Sequence, residues 1–99
     1  MDLTNKQSRQ LKALAHHLKP VVMVGNKGLT DHVLEEIDAA LAHHELIKVR
    51  LPAVPKPDRQ GLTEQICSYS GCIPVNLTGR ISILYKPNPD KKNPLNLNG

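Results

Sequence analysis

Ninety-nine residues make one domain, large enough to bury roughly two-thirds of its unfolded surface without disulfides or a metal. The formal charge of +4 and a pI near 9.3 favour an anionic partner such as nucleic acid. Two tyrosines, with no Phe and no Trp, count against modules that stack bases on aromatic platforms.

The start of the chain lacks the apolar core of a signal peptide. No apolar run approaches the ~20 residues of a membrane helix. The expectation is a soluble, cytoplasmic protein, with Cys67 and Cys72 as reduced thiols.

Residues 4–19 read as the first helix. Thr4 and Gln7 fit a capping box. At about 100° per residue, Leu11, Leu14 and Leu18 share a narrow arc, whereas Arg9, Lys12, His16 and Lys19 fall on the other side. One face is therefore expected to pack and the other to be basic; the plainer reading of that face is a solvated surface. Pro20 stops the helix.

Residues 21–24, Val-Val-Met-Val, have the composition of a buried strand. They run into Gly25-Asn26-Lys27-Gly28. Glycine permits positive φ and close approach of another backbone, Asn26 tolerates the left-handed region, and Lys27 adds a point charge. Thr30 is a candidate N-cap with Asp31 in the following turn. Backbone N–H groups, a helix start and a cation meet in one place, which suits a phosphodiester. A Gly-x-x-Gly pair alone also fits a tight strand-to-helix turn that holds nothing.

The second helix spans residues 30–43 with Val33, Leu34, Ile37 and Leu41 inward. Asp31, Glu35, Glu36 and Asp38 lie outward, with no Lys or Arg between Leu29 and Ile47, so charge is segregated between a basic and an acidic side. Residues 46–51 read as a strand, with Ile47, Val49 and Leu51 on one face and Lys48 and Arg50 on the other. Strand, helix, strand at this spacing implies a parallel pair.

The Pro-rich connector 52–57 is expected to be extended. Asp58 is a candidate cap for a third helix running to about Ser70, with Leu62 and Ile66 inward, Gly61 weakening it and Gly71 ending it. Residues 73–85 read as a hairpin turning at Thr78-Gly79-Arg80. Residues 88–99 read as a disordered tail. The fold class is α/β, an α+β sandwich of order αβαβαββ: a four-stranded mixed sheet with three helices packed on it, in one domain covering 1–87.

His16-His17 and His43-His44 are adjacent pairs, which cannot chelate one ion from one helix face. Cys67 and Cys72 are five apart, unlike a Cys-x-x-Cys pair. No nucleophile-base set, Walker motif or dinucleotide fingerprint occurs, so neither catalysis, a cofactor, a metal nor a small-molecule substrate is expected.

Four stretches together carry a resemblance: Leu14-Ala15-His16-His17-Leu18, Gly25-Asn26-Lys27-Gly28-Leu29-Thr30, His44-Glu45-Leu46-Ile47-Lys48-Val49, and Gly79-Arg80-Ile81-Ser82-Ile83-Leu84-Tyr85-Lys86. In this order and spacing the chain resembles the CRM domain (chloroplast RNA splicing and ribosome maturation) in its bacterial single-domain form, over residues 4–87. The resemblance implies an RNA-binding domain with a KH-like Gly-x-x-Gly loop, similar in fold to the C-terminal domain of bacterial translation initiation factor 3. It implies that RNA is bound by Gly25, Asn26, Lys27 and Gly28, flanked by Arg9, Lys12 and Lys19; the helix start at Thr30 and His16 on the basic face are added as expected RNA contacts from the residues themselves. It further implies a ribosome-maturation role on large-subunit precursors, with a monomer expected. The alternative is a protein-interaction module that docks its acidic second helix on ribosomal proteins. The chain departs from the family pattern in the connector 52–57, at Gly61 and at Thr78.

Overall fold

A computed structural model of the chain describes residues 3–89. The order is α1 (Asn5–Ala15), β1 (Val22–Met23), α2 (Asp31–His44), β2 (Leu46–Arg50), α3 (Lys56–Ser70), β3 (Ile73–Thr78) and β4 (Ile81–Tyr85). The four strands form one mixed sheet in the order β1-β2-β4-β3. β1 runs parallel to β2, and β4 is antiparallel to both β2 and β3. The α/β order and the four-stranded mixed sheet are those expected from the sequence.

Strand alternation divides the core in two. Ile47, Val49 and Leu51, with Val22, Val24 and Leu84, pack against Ile37 and Leu41 of α2 and Ile66 of α3. Leu46, Ile83 and Tyr85, on the opposite face, pack against Leu11 and Ala15 of α1. The sheet therefore has α2 and α3 on one face and α1 on the other. Burying side chains of this size contributes about 1.5–3 kcal/mol each before conformational entropy is counted.

Several expectations need correction. α1 ends at Ala15 rather than Lys19. Pro20 disfavours helical backbone at the residue before it and clashes with the preceding turn. His16 N–H accordingly turns to the Ala13 carbonyl, and Leu18 N–H to that of Ala15. The inward residues of α1 are Leu11 and Ala15, both fully buried, whereas Leu14 and Leu18 remain 47% and 37% exposed. The leucine arc was read as the buried stripe, but the helix rolls toward the alanine, which lets it sit close to the sheet.

β1 is a half-covered edge strand. Val22 and Val24 are buried, while Val21 and Met23 are exposed. Ladder-type bonds extend past its two assigned residues, from Val21 N–H to the Lys48 carbonyl and from Val24 N–H to that of Arg50.

α3 starts at Lys56, two residues before Asp58, and has no side-chain cap. Pro57 lies in its first turn, where its missing N–H costs nothing. Gly71 ends α3 in the left-handed region at φ 73°, as expected. Of the stretch assigned to a tail, Asn88 is held against the domain. Its N–H donates to Glu45 Oε2 and its Nδ2 to the Ala42 carbonyl. Residues 90–99 lie outside the described residues.

Candidate nucleic-acid interface

The Gly-x-x-Gly stretch is a tight turn between β1 and α2. Gly28 N–H donates to the Gly25 carbonyl at 3.0 Å, and Thr30 N–H to the Gly28 carbonyl at 3.1 Å. Gly28 sits at φ 74°, whereas Gly25 has no positive φ. Only the second glycine is therefore demanded by backbone conformation. A Cβ placed on either would meet nothing within 4 Å, so both glycines border open space. Among the described residues, the amides of Asn26, Lys27 and Leu29 donate to no protein acceptor and remain available to a ligand.

Thr30 caps α2, its Oγ1 accepting from Val33 N–H at 3.2 Å. Asp31 follows in the first turn and already complements the positive end of the helix dipole. Attraction for phosphate at this corner thus falls to Lys27, which is exposed, and to the turn's own amides.

Across from the turn lies a groove of about 430 Å³. Gly25, Asn26 and Gly28 form one side; Pro52, Val54, Gly61 and Leu62 line the rest. The connector and Gly61, which the sequence offered only as departures from pattern, are the far wall of this groove. Gly61 carries no side chain to fill it. Asp58 lies on the same wall and disfavours phosphate there, so the groove suits the less charged parts of a nucleotide.

Two cations of β2, Lys48 and Arg50, lie on the other face of the sheet, in neighbouring rows. Met23 pairs with Arg50, Arg50 with Ile81, and Ile81 with Thr78. In the neighbouring row Lys48 pairs with Ile83, and Ile83 with Asn76. α1 leaves these rows partly uncovered. Lys12 and His16 face Lys48, Asn76, Thr78, Ile81 and Ile83 across a cleft of about 350 Å³. Lys48 Nζ donates to the Leu18 carbonyl at 3.1 Å, which ties the strand to the end of α1.

The expected site residues therefore fall into groups. Gly25, Asn26, Lys27, Gly28 and Thr30 form the turn and the helix start. Lys12 and His16, at α1, line the cleft and not the groove beside the turn. Arg9 lies exposed on the outer side of α1. Lys19 lies at the opposite end of β1 from the turn, beside Leu14, His17 and Val21.

Lys48 and Arg50 were not among the expected site residues, yet they stand between α1 and the turn. Their alternation with Ile47, Val49 and Leu51 was visible in the sequence. What the sequence lacked was the partial cover of α1.

Elsewhere, Cys72 Sγ donates to Cys67 Sγ at 3.3 Å across the end of α3. That bond holds the Cys67 thiol below its ordinary pKa, against the opposing effect of burial. The Cys72 thiol is pushed far up, first by the same bond and then by burial. Among the described residues, no three His, Cys, Asp or Glu side chains are placed to hold a metal ion, and no helix is long and apolar enough to cross a membrane.

A mixed four-stranded sheet with a Gly-x-x-Gly turn at the end of its edge strand defines the class, and comparison with known proteins gives the family. The CRS1 / YhbY (CRM) domain model matches residues 3–86, and this chain belongs to that family. It is 44% identical over 90 residues to a Haemophilus influenzae protein named "RNA-binding protein", covering 91% of each. It is 43% identical over 89 residues to the Pseudomonas aeruginosa "Probable RNA-binding protein PA4753", covering 90% of this chain and 86% of the relative. The solution structure of Staphylococcus aureus SAV1595 superposes with a TM-score of 0.82 at 28% identity, over 98% of this chain and 100% of that one.

Proposed function

We propose that this protein is a non-catalytic RNA-binding protein that acts in the cytoplasm as a monomer, on ribosomal RNA of the large-subunit precursor during ribosome assembly. One observation carries the reading: a turn with two glycines bordering open space and three unengaged amides sits beside a strand that carries exposed Arg50 and half-buried Lys48 on one face. A ribose–phosphate strand lies against the turn, with phosphate oxygens on Lys27 and the amides of Asn26 and Lys27. Arg50, Lys48 and Lys12 extend the electrostatic contact, with His16 beside them and Arg9 and Lys19 contributing at longer range. Such contacts position RNA and carry little base information. The names of the relatives support RNA as the ligand class, and the family resemblance supports the precursor particle.

The test is sedimentation of tagged protein from a cell extract through a sucrose gradient, with and without ribonuclease. The expected result is co-migration with large-subunit precursors that ribonuclease abolishes and that the Lys27→Ala/Gly28→Asp variant lacks. A second reading rests on Glu35, Glu36 and Asp38, which are exposed along α2. Docking of that helix on basic ribosomal proteins predicts association that survives ribonuclease and is lost on charge reversal at those three positions.

A further inference from the structure

The cleft between α1 and the uncovered part of the sheet has a composition that phosphate binding alone does not require. Its floor is aliphatic, formed by Ile81 and Ile83. Its outer wall is the β3 pair Asn76 and Thr78, and its inner wall carries Lys12, His16 and Lys48. Asn76 Nδ2 donates to Thr78 Oγ1 at 2.6 Å. That bond uses one amide proton and one hydroxyl lone pair. It leaves the Asn76 Oδ1 acceptor and the Thr78 hydroxyl proton side by side, a donor–acceptor pair held by its own internal bond.

The pair owes its position to a β-bulge. The register of β3 against β4 shifts between Pro74 and Asn76, and such shifts re-aim side chains. A flat aliphatic floor, an adjacent acceptor and donor, and cations along one side match one chemical object: a nucleobase with its phosphate. The Watson–Crick edge of every unpaired base presents a donor next to an acceptor. The His16 imidazole adds a further polar group.

From this arrangement we infer that the cleft is a nucleotide subsite that takes one unpaired base of the bound RNA. The base lies on Ile81 and Ile83, with its edge on Asn76 and Thr78 and its phosphate on Lys12 and Lys48. The inference rests on the RNA-binding reading above and deepens it, because it adds base contact to a surface otherwise limited to backbone. Continuity supports it: Arg50, the register partner of Met23, links this cleft to the root of the Gly-x-x-Gly turn. Apolar packing on isoleucine stands in for the aromatic stacking that this composition does not provide.

The experiment titrates the protein with two single-stranded 12-nucleotide RNAs by fluorescence anisotropy. One is oligoadenylate; the other has the same backbone with every position abasic. Wild type is compared with Asn76→Ala/Thr78→Val and with Lys27→Ala/Gly28→Asp. The expected result is that wild type prefers the full oligomer about 10-fold, in line with a two-bond contact to one base edge. The Asn76→Ala/Thr78→Val variant loses that preference while keeping wild-type affinity for the abasic strand. The loop variant loses affinity for both. In parallel, the Ile81 and Ile83 methyl resonances of wild-type protein shift on adding oligoadenylate and not on adding the abasic strand. If the Asn76→Ala/Thr78→Val variant retains the preference, or the methyls stay still while the loop variant fails to bind, the base subsite is overturned and RNA binding by the loop stands. If wild type binds neither RNA, both readings fall.

Discussion

Met23 and Arg50 are register partners across β1 and β2, and the Arg50 carbonyl accepts the N–H of Val24, the residue before Gly25. The root of the glycine turn is thereby fixed to a strand whose exposed face carries two cations. An arginine two strand positions from Lys48 presents charge at the spacing of alternate strand residues, and neither side chain has to bury its charge to do so.

Arg50 should therefore contribute to RNA affinity without contributing to the fold. Arg50→Ala is expected to weaken binding to single-stranded RNA several-fold and to reduce the slope of log affinity against log salt by about 0.7, the loss of one phosphate contact. Its urea midpoint should remain that of wild type, since the side chain is exposed. An unchanged salt slope would remove Arg50 from the interface.

The two loop glycines should separate in stability. Gly28 at φ 74° is expected to lose about 1–2 kcal/mol on change to Ala, the steric cost of the left-handed region. Gly25→Ala should stay within about 0.5 kcal/mol of wild type, because its φ is not positive and a Cβ meets nothing. Urea unfolding of both variants measures the difference; equal losses would contradict the turn geometry. Asp tolerates the left-handed region better than most residues, which is why Gly28→Asp is a folded probe of the loop.

Cys67 should react before Cys72. The hydrogen bond from Cys72 favours the Cys67 thiolate, while the Cys72 thiol is held protonated. As pH rises, thiolate forms first at Cys67, so limited iodoacetamide treatment followed by peptide mass mapping should label Cys67 alone. In Cys72→Ala the thiolate loses its donor, and alkylation of Cys67 at fixed pH should slow. Equal labelling of both thiols in the folded protein would contradict the assignment.

Local signals in the sequence translated into structure where they concern a few neighbouring residues. The Thr4–Gln7 capping box forms with both bonds present, Thr30 caps α2, and Gly71 closes α3. The hairpin turns at Gly79, with Thr78 opposite Ile81. What depended on packing was less legible. The roll of α1 that buries Ala15 and leaves Leu14 exposed follows from how closely a helix approaches a sheet, which helical spacing alone does not encode. The start of α3 at Lys56 was hidden by prolines that read as breakers, although Pro suits a first turn. The approach of Cys67 to Cys72 requires the left-handed residue between them to fold the chain back. The groove opposite the turn needed Gly61 and Pro52, far apart in sequence, to meet Gly25.

The central claim is that the glycine turn and Lys27 hold RNA. An anisotropy titration of a single-stranded RNA at two salt concentrations, with wild type and Lys27→Ala/Gly28→Asp, tests it most directly. The account predicts salt-dependent binding by wild type and a loss of at least 10-fold in the variant, with its circular dichroism spectrum unchanged. Equal binding by both proteins, with the variant folded, would contradict it.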